Sequence, residues 1–236
     1  MSVFMTLRIA LKALARNKMR TALTMLGMII GVAAVIAMVA LGSGAQAQIE
    51  EQIKQSGTNL IMVNAGNFSS GGVRMGGGNA TTLKPEDATA LRDVAGVQYV
   101  SATLQTRVQL IYGNQNWSTQ VQGVDVDFPA IRLWTVKYGS WFGDQDVRGA
   151  SKVIVLGNSV SNTLFGEDVD PTGQIIRVKN QPFTVVGVMG PKGQSSTGQD
   201  QDDTAFAPYT TIMKKVSGNQ SIQGISVSTE IGRAHV

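Results

Sequence analysis

Apolar and polar positions change period several times along this chain, and each change marks an element. In MSVFMTLRIALKALARNK, Phe4, Leu7, Leu11 and Leu14 share one helical stripe, while Arg8, Lys12 and Arg16 recur at i, i+4 and i+8 on another. This spacing predicts an amphipathic helix over 1–19, with a turn near Asn17. From Arg20 to Glu50 no intervening side chain is charged. Within that interval Ala22 to Leu41 is broken only by Thr24, whose hydroxyl can bond back to its own helix. A run of about twenty residues at about 1.5 Å each reaches roughly 30 Å, the thickness of a bilayer's hydrocarbon core. The pattern therefore predicts a spanning helix over 20–42. It continues as the polar stretch AQAQIEEQIKQS, a stalk helix over 45–56 on which Ile49 and Ile53 lie one turn apart and which Gly57 ends.

Beyond the stalk the period shortens. TNLIMVNAG reads as a strand, and NFSSGGVRMGGGNATT as a glycine-rich loop. LKPEDATALRDV is a short helix with Pro85 in its first turn and Glu86 and Asp87 at its positive end. Strands follow near Val97 to Ile111 and Trp117 to Val124. The segment 125–142 carries Phe128, Trp134, Tyr138, Trp141 and Phe142, which are expected to pack a small core, a peptide or lipid groove being the other reading. KVIVLG is a strand, and NSVSNTLFG is a helical turn or two closed by Gly166. Gln174 to Val178, Phe183 to Met189 and Ile225 to Val227 are strands, and PKGQSSTGQDQDD is a loop. The expected fold is α+β: an amphipathic helix, one transmembrane helix and a mixed extracytoplasmic domain over 43–229. That domain has two small lobes on either side of about residue 115, the second over roughly 115–185.

Charge sharpens the picture. The net charge of +4 arises at one end: the first twenty residues contain Arg8, Lys12, Arg16, Lys18 and Arg20 and no acid. The remainder is close to neutral, which argues against nucleic acid as a partner. A basic flank beside an apolar span follows the positive-inside pattern, with the N-terminus cytoplasmic, the flank against membrane lipids and the body outside. Ala45-Gln46-Ala47 has the form of a signal-peptidase site, so a cleaved signal is one alternative and a buried helix of a soluble protein another. The apolar run exceeds the roughly 7–15 residues of a signal's hydrophobic region, which favours a permanent anchor. Gly27 and Gly31, with Ala34 on the next turn, give the span a narrow face suited to another membrane helix.

Several chemistries are missing. The chain has no cysteine, and its one histidine is His235. Asp200, Asp202 and Asp203 lack the glycine and distal glutamate of a calcium loop. No phosphate-binding G-x-x-x-x-G-K motif is present, and Ser159 and Ser195 have neither elbow glycines nor an activating base. The expectation is a protein without a catalytic centre, metal or cofactor.

Six blocks carry a resemblance: ALKALARNKMRTALTMLGMIIGVAAVIAMVALGSGA, SGTNLIMVNAG, LKPEDATAL, SKVIVLGNSVSNTLFG, DPTGQIIRVKNQPFTVVGVM and FAPYTTI. In order and spacing, over nearly all of 1–229, they resemble the permeases of the MacB and FtsX-like class of ABC transporters. The first block is specific to the class, and the later ones favour the MacB-like branch. The resemblance implies a homodimeric permease subunit in a bacterial inner membrane, with its core domain in the periplasm. A separate ABC ATPase subunit binds the ATP, and a periplasmic adaptor and an outer-membrane duct are further partners. The implied work is mechanotransmission, in which ATP-driven motion in the cytoplasm passes to the periplasmic domain for efflux of a macrolide, peptide or siderophore. Lipoprotein release is the alternative within the class, and a single-pass sensor or scaffold the alternative outside it.

Carried onto this sequence, Arg8, Lys12, Arg16, Lys18 and Arg20 match the membrane- and ATPase-proximal segment. Ile49, Ile53 and Gly57 fall on the stalk. Trp141, Phe142, Leu156, Gly166, Pro171, Gly173 and Pro208 fall in the periplasmic core. Two departures accompany the match. The class has three more membrane helices after the periplasmic domain, so C-terminal truncation is expected. The closing EIGRAHV leaves the family pattern, and its codons can be written as a sequencing adapter, so 230–236 are expected to be an artefactual tail. No convergent polar pocket that would name a cargo is readable.

Overall fold

A computed structural model describes residues 3–56, 59–66, 69–70, 73–74, 83–195, 198–218 and 220–229. The chain divides into two compact units, Met1–Glu51 and Gln52–Val236.

In the first unit, helix α1 (Val3–Arg16) ends at a turn on Asn17, whose carbonyl accepts the Thr21 N–H at 3.1 Å. Helix α2 (Lys18–Ser56) then runs unbroken for 39 residues. At about 1.5 Å per residue its length is roughly 58 Å, close to twice a hydrocarbon core. The stretch Lys18–Glu50 is long and apolar enough to cross a membrane, and none of its most apolar window is buried. Within this chain it is therefore no core helix. Thr24 Oγ1 donates to the carbonyls of Arg20 and Thr21 at 3.0 Å each, so the one polar side chain of the apolar run is satisfied by its own helix. Ile53 lies near the end of α2, and Gly57 lies outside the described residues.

The second unit is built on one connected sheet. Its strands are β1 (Leu60–Asn64), β4 (Val97–Tyr112), β5 (Gln115–Val124), β6 (Val136–Gly139), β7 (Val153–Leu156), β8 (Ile175–Val178), β9 (Gln181–Met189), β10 (Thr204–Pro208) and β11 (Gly224–Thr229). The glycine-rich segment contributes only a two-residue ribbon, β2 (Ser69–Ser70) against β3 (Val73–Arg74). The order is β1-β11-β4-β5-β10-β7-β9-β6, and β8 pairs with both β4 and β9. The pairings β4–β5–β10–β7–β9–β8–β4 thus form a closed circuit. Strands β11 and β1 extend it beside β4, and β6 extends it beside β9. Closure leaves fewer strand edges to be protected.

Two apolar clusters fill this unit. The larger holds Leu104, Leu110, Ile154, Ile176, Phe183 and Ile212. The second is aromatic, with Phe128, Trp134, Phe142, Met189 and Phe206, and Tyr209 packs against both. Phe206 anchors the second, its ring 5.3 Å from Phe128 and 5.4 Å from Trp134 between centroids. Of the aromatic run 125–142, Phe128, Trp134 and Phe142 pack this small core with Trp141 against it, and Tyr138 is not among its residues. Residue 115 does not divide the unit, however: it opens β5, which pairs with β4 from Tyr112↔Gln115 to Leu104↔Gly123. Both apolar clusters pack on the same sheet.

The helices of this unit are α3 (Pro85–Arg92), α4 (Phe128–Arg132), α5 (Asp144–Gly149), α6 (Asn158–Phe165) and α7 (Tyr209–Thr211), the last running into a π-type turn over Ile212–Ser217. In α3 the Lys84 N–H donates to Asp87 Oδ2 at 2.8 Å, which places the acid at the positive end of the helix. Strand β10, unforeseen in the sequence, is buried at every residue between β5, to which it is parallel, and β7, to which it is antiparallel. Gly157, between β7 and α6, is fixed by close packing: a Cβ there would lie 2.2 Å from the Asp202 carbonyl oxygen.

Candidate functional site

The strand alternation that buries Leu104 and Val121 turns Gln105, Gln120 and Gln122 to the opposite face of the β4–β5 hairpin. Gln120 Nε2 donates to Gln105 Oε1 at 2.7 Å. Gln223 holds the β4 backbone from the other side, accepting the Gln105 N–H at 2.9 Å and donating to the Gln105 carbonyl at 3.1 Å. A polar amide surface results, on which Thr103 and Ser226 add hydroxyls.

Helix α4 supplies a second wall. It ends at Leu133, which adopts a left-handed conformation (φ 48°) and is exposed. That reversal sends Trp134 inward, where its indole N–H donates to the Gly190 carbonyl at 2.7 Å. Arg132, the last residue of α4, remains half-buried at the rim.

The third wall is formed by two arms, 190–195 and 198–203, bridged at Gln194↔Asp200. Asp202 closes the base of the arms by accepting the backbone N–H of Lys192 at 2.8 and 3.1 Å and that of Gly193 at 2.9 Å. Lys192 reaches back to α4: its Nζ donates to the Arg132 carbonyl at 2.7 Å and sits 5.1 Å from the centre of the Trp134 ring. Burial first, and then the Arg132 charge, push the Lys192 ammonium down to about 8, with Asp202 opposing them. Burial also lowers Arg132 from its ordinary value. Between these walls lies a cleft of about 520 Å³. That size suits a small ligand.

A second polar cluster staples α3 to the end of β5. Arg92 Nη2 lies 2.7 Å from Asp125 and 3.4 Å from Asp127, and donates to the Val100 carbonyl at 3.3 Å. Burial raises the Asp125 pKa, with a backbone hydrogen bond from Val126 and the Arg92 charge opposing it. The acidic run 200–203 is spent on structure: Ser159 donates to Asp200 at 2.8 Å, and the Trp117 indole donates to Asp203 at 2.7 Å. No group of three or more potential metal ligands occurs among the described residues.

Phe128 and Trp134 of the aromatic segment and Ser195 and Asp200 line the cleft, but the site residues carried over from the family lie elsewhere. Arg8, Lys12, Arg16, Lys18 and Arg20 are exposed on α1 and the start of α2. Gly27, Gly31, Ala34 and Ile49 are exposed along α2. Leu156 belongs to the larger core, Phe142 to the aromatic one, and Trp141 stacks on Phe142 at 4.5 Å. Gly166 and Gly173 have φ of 100° and 86°, and Pro171 and Pro208 are buried at a turn and at the end of β10. None of these lines the cleft. Its residues come from six separated stretches of chain, and the legible signal was the alternating TQVQG of β5.

Comparison with known proteins places these features. The model of the MacB-like periplasmic core domain matches residues 21–234. The macrolide export ATP-binding/permease proteins MacB of Chlorobaculum tepidum and Syntrophobacter fumaroxidans are each 40% identical, over 92% and 91% of this chain. The matches cover 33% and 30% of their lengths, so the chain spans about a third of these curated relatives. Among solved structures, the periplasmic region of MacB from Actinobacillus actinomycetemcomitans superposes with a TM-score of 0.63 at 24% identity, covering 78% of this chain and 81% of that one. The extracellular domain of the noncanonic ABC-type transporter YknZ from Gram-positive bacteria gives 0.58 at 20% identity, over 73% and 85%. Both show a shared fold.

Proposed function

The chain belongs to the MacB-like periplasmic core domain family, and from that premise we propose that it is the permease part of an ABC exporter of the macrolide-efflux type. The observation that carries the reading is α2: a helix of 39 residues whose most apolar window is unburied and long enough to cross a membrane. In this reading the basic α1 lies on the cytoplasmic leaflet, α2 crosses the inner membrane, and the sheet unit works in the periplasm. ATP is bound and hydrolysed by a partner subunit, while this chain, as a homodimer, transmits the resulting motion to a periplasmic adaptor and outer-membrane duct. The names of the matched relatives favour macrolide export over lipoprotein release.

The absence of native cysteine makes a direct test simple. In membranes containing the ATPase partner, spin labels on Thr163→Cys report the distance between the α6 helices of two protomers. The reading expects that distance to change on addition of ATP and vanadate. A single unchanged distribution with and without nucleotide, in a complex that hydrolyses ATP, would overturn it.

A further inference from the structure

The cleft between the β4–β5 face and the arms 190–195 and 198–203 has a distinctive supply of unused hydrogen-bonding groups. The side chains of Thr103, Gln122, Gln199 and Gln201 line it and make no hydrogen bond among the described residues. Arg132 also lines it, and its guanidinium has no carboxylate partner among the described residues. The other charges nearby are committed. Lys192 is held by the Arg132 carbonyl and the Trp134 ring. Asp200, the acid that lines the cleft, accepts from the Ser159 hydroxyl and from the Asp202 N–H at 2.9 Å. Arg132 is thus left as a half-buried cation without a carboxylate partner, in a cleft lined otherwise by amides, hydroxyls, apolar side chains and the one hydrogen-bonded carboxylate of Asp200, and its planar fork of donors matches a two-oxygen anion.

We propose that this cleft is a binding site for a small hydrophilic ligand headed by an oxyanion, with Arg132 as counter-ion and the glutamine and threonine side chains ordering the rest of the molecule. The oxyanion is a carboxylate or a phosphate. The cleft's roughly 520 Å³ has room for several polar atoms beyond the head group. The site stands apart from the transport reading, because it concerns equilibrium binding by this chain alone.

The test is calorimetric titration of the full chain in a neutral detergent with three probes: N-acetyl-triglycine, its C-terminal amide and glycerol 3-phosphate. Binding of the acid but not the amide supports the carboxylate source, and binding of glycerol 3-phosphate supports the phosphate source. In either case Arg132→Gln weakens binding by at least about tenfold, the loss expected for one charge-assisted hydrogen-bonded pair. Should that variant lose its folded circular dichroism signal, Gln122→Ala provides the second reading, with a few-fold weakening expected. Equal binding of acid and amide, no binding of either anion below about 10 mM, or undiminished binding by a folded Arg132→Gln would each overturn the proposal.

Discussion

In helix α2, Ile29, Ile30, Val35 and Ile36 are 60–64% exposed, whereas Ile154, Ile176, Ile212 and Ile225 in the sheet unit are at most 1% exposed. Burying such a side chain is worth about 1.5–3 kcal/mol wherever it happens. The sheet unit obtains that stabilisation from its own strands. In helix α2 these side chains are not covered, as suits a helix read as spanning a membrane. Overall composition cannot separate the two cases; the placement of polar residues does. In β5 a polar side chain recurs at every second position and turns one face to water. In α2 no charge interrupts the run before Glu50, so no face is reserved for water.

The comparison breaks most sharply under a buried charge. Ile36→Lys places an ammonium near the middle of the span, at about 3 kcal/mol of insertion free energy. A large fall in the membrane-retained fraction after alkaline extraction is expected, with the sheet unit's own unfolding transition unchanged. Retention at the wild-type level would mean that α2 does not face lipid. The complementary cut is Phe206→Ala, which empties the centre of the aromatic core. It should cost about 3–5 kcal/mol in urea unfolding while leaving membrane retention intact. A loss below about 1 kcal/mol would show that the aromatic cluster contributes little to the unit.

Legibility followed the same division. Helix α2 was readable as an uninterrupted apolar run, strands β4, β5 and β9 by their alternation, and β7 by its β-branched VIVL between polar neighbours. TAFAP, strand β10, was not: both its faces are buried, so it shows no alternation, and five residues are too few to separate strand from helix. Its place in the sheet comes from β5 and β7 on either side, which is tertiary information. The cleft was hidden for a related reason. Arg132, Gln122 and Gln199 meet only after α4 ends in a left-handed turn and Asp202 folds the arms back. Of the positions carried over from the family, Leu156 and Phe142 are buried, and Gly166 and Gly173 sit at turns.

A smaller effect refines the boundary between core and surface. Because burial holds Lys192 near 8, below its ordinary value, the folded state releases this proton earlier than the unfolded chain does. The unfolded state then binds more protons between about pH 8 and pH 10.5. Stability should therefore rise with pH across that window, and Lys192→Met should remove the rise. A difference of about 2 °C between the two melting profiles at pH 10 relative to pH 7 is the expected size. Parallel profiles would place Lys192 in water. Smallest of all is the surface pair Lys137–Asp168, at 2.6 Å but open to solvent. Hydrogen bonding to Lys137 keeps Asp168 below its ordinary value, so its contribution is present at neutral pH and is lost on acidification through that lowered value. Asp168→Asn should move the melting temperature by no more than about 1 °C.

The order of strands has a bearing on how the molecule is made. Strand β1 follows the long helix directly, yet its hydrogen-bonding neighbour is β11, with Asn64 opposite Gly224. Strand β10 likewise enters between β5 and β7 only after both have been synthesised. A chain emerging N-terminus first therefore presents β1 without a partner until the strand from Gly224 to Ser228 has been made. Such distant pairings are slow to form, because loop closure must precede the contacts that reward it. A ribosome stalled before residue 224 would leave both β1 and the near side of β4 open to pairing with other chains.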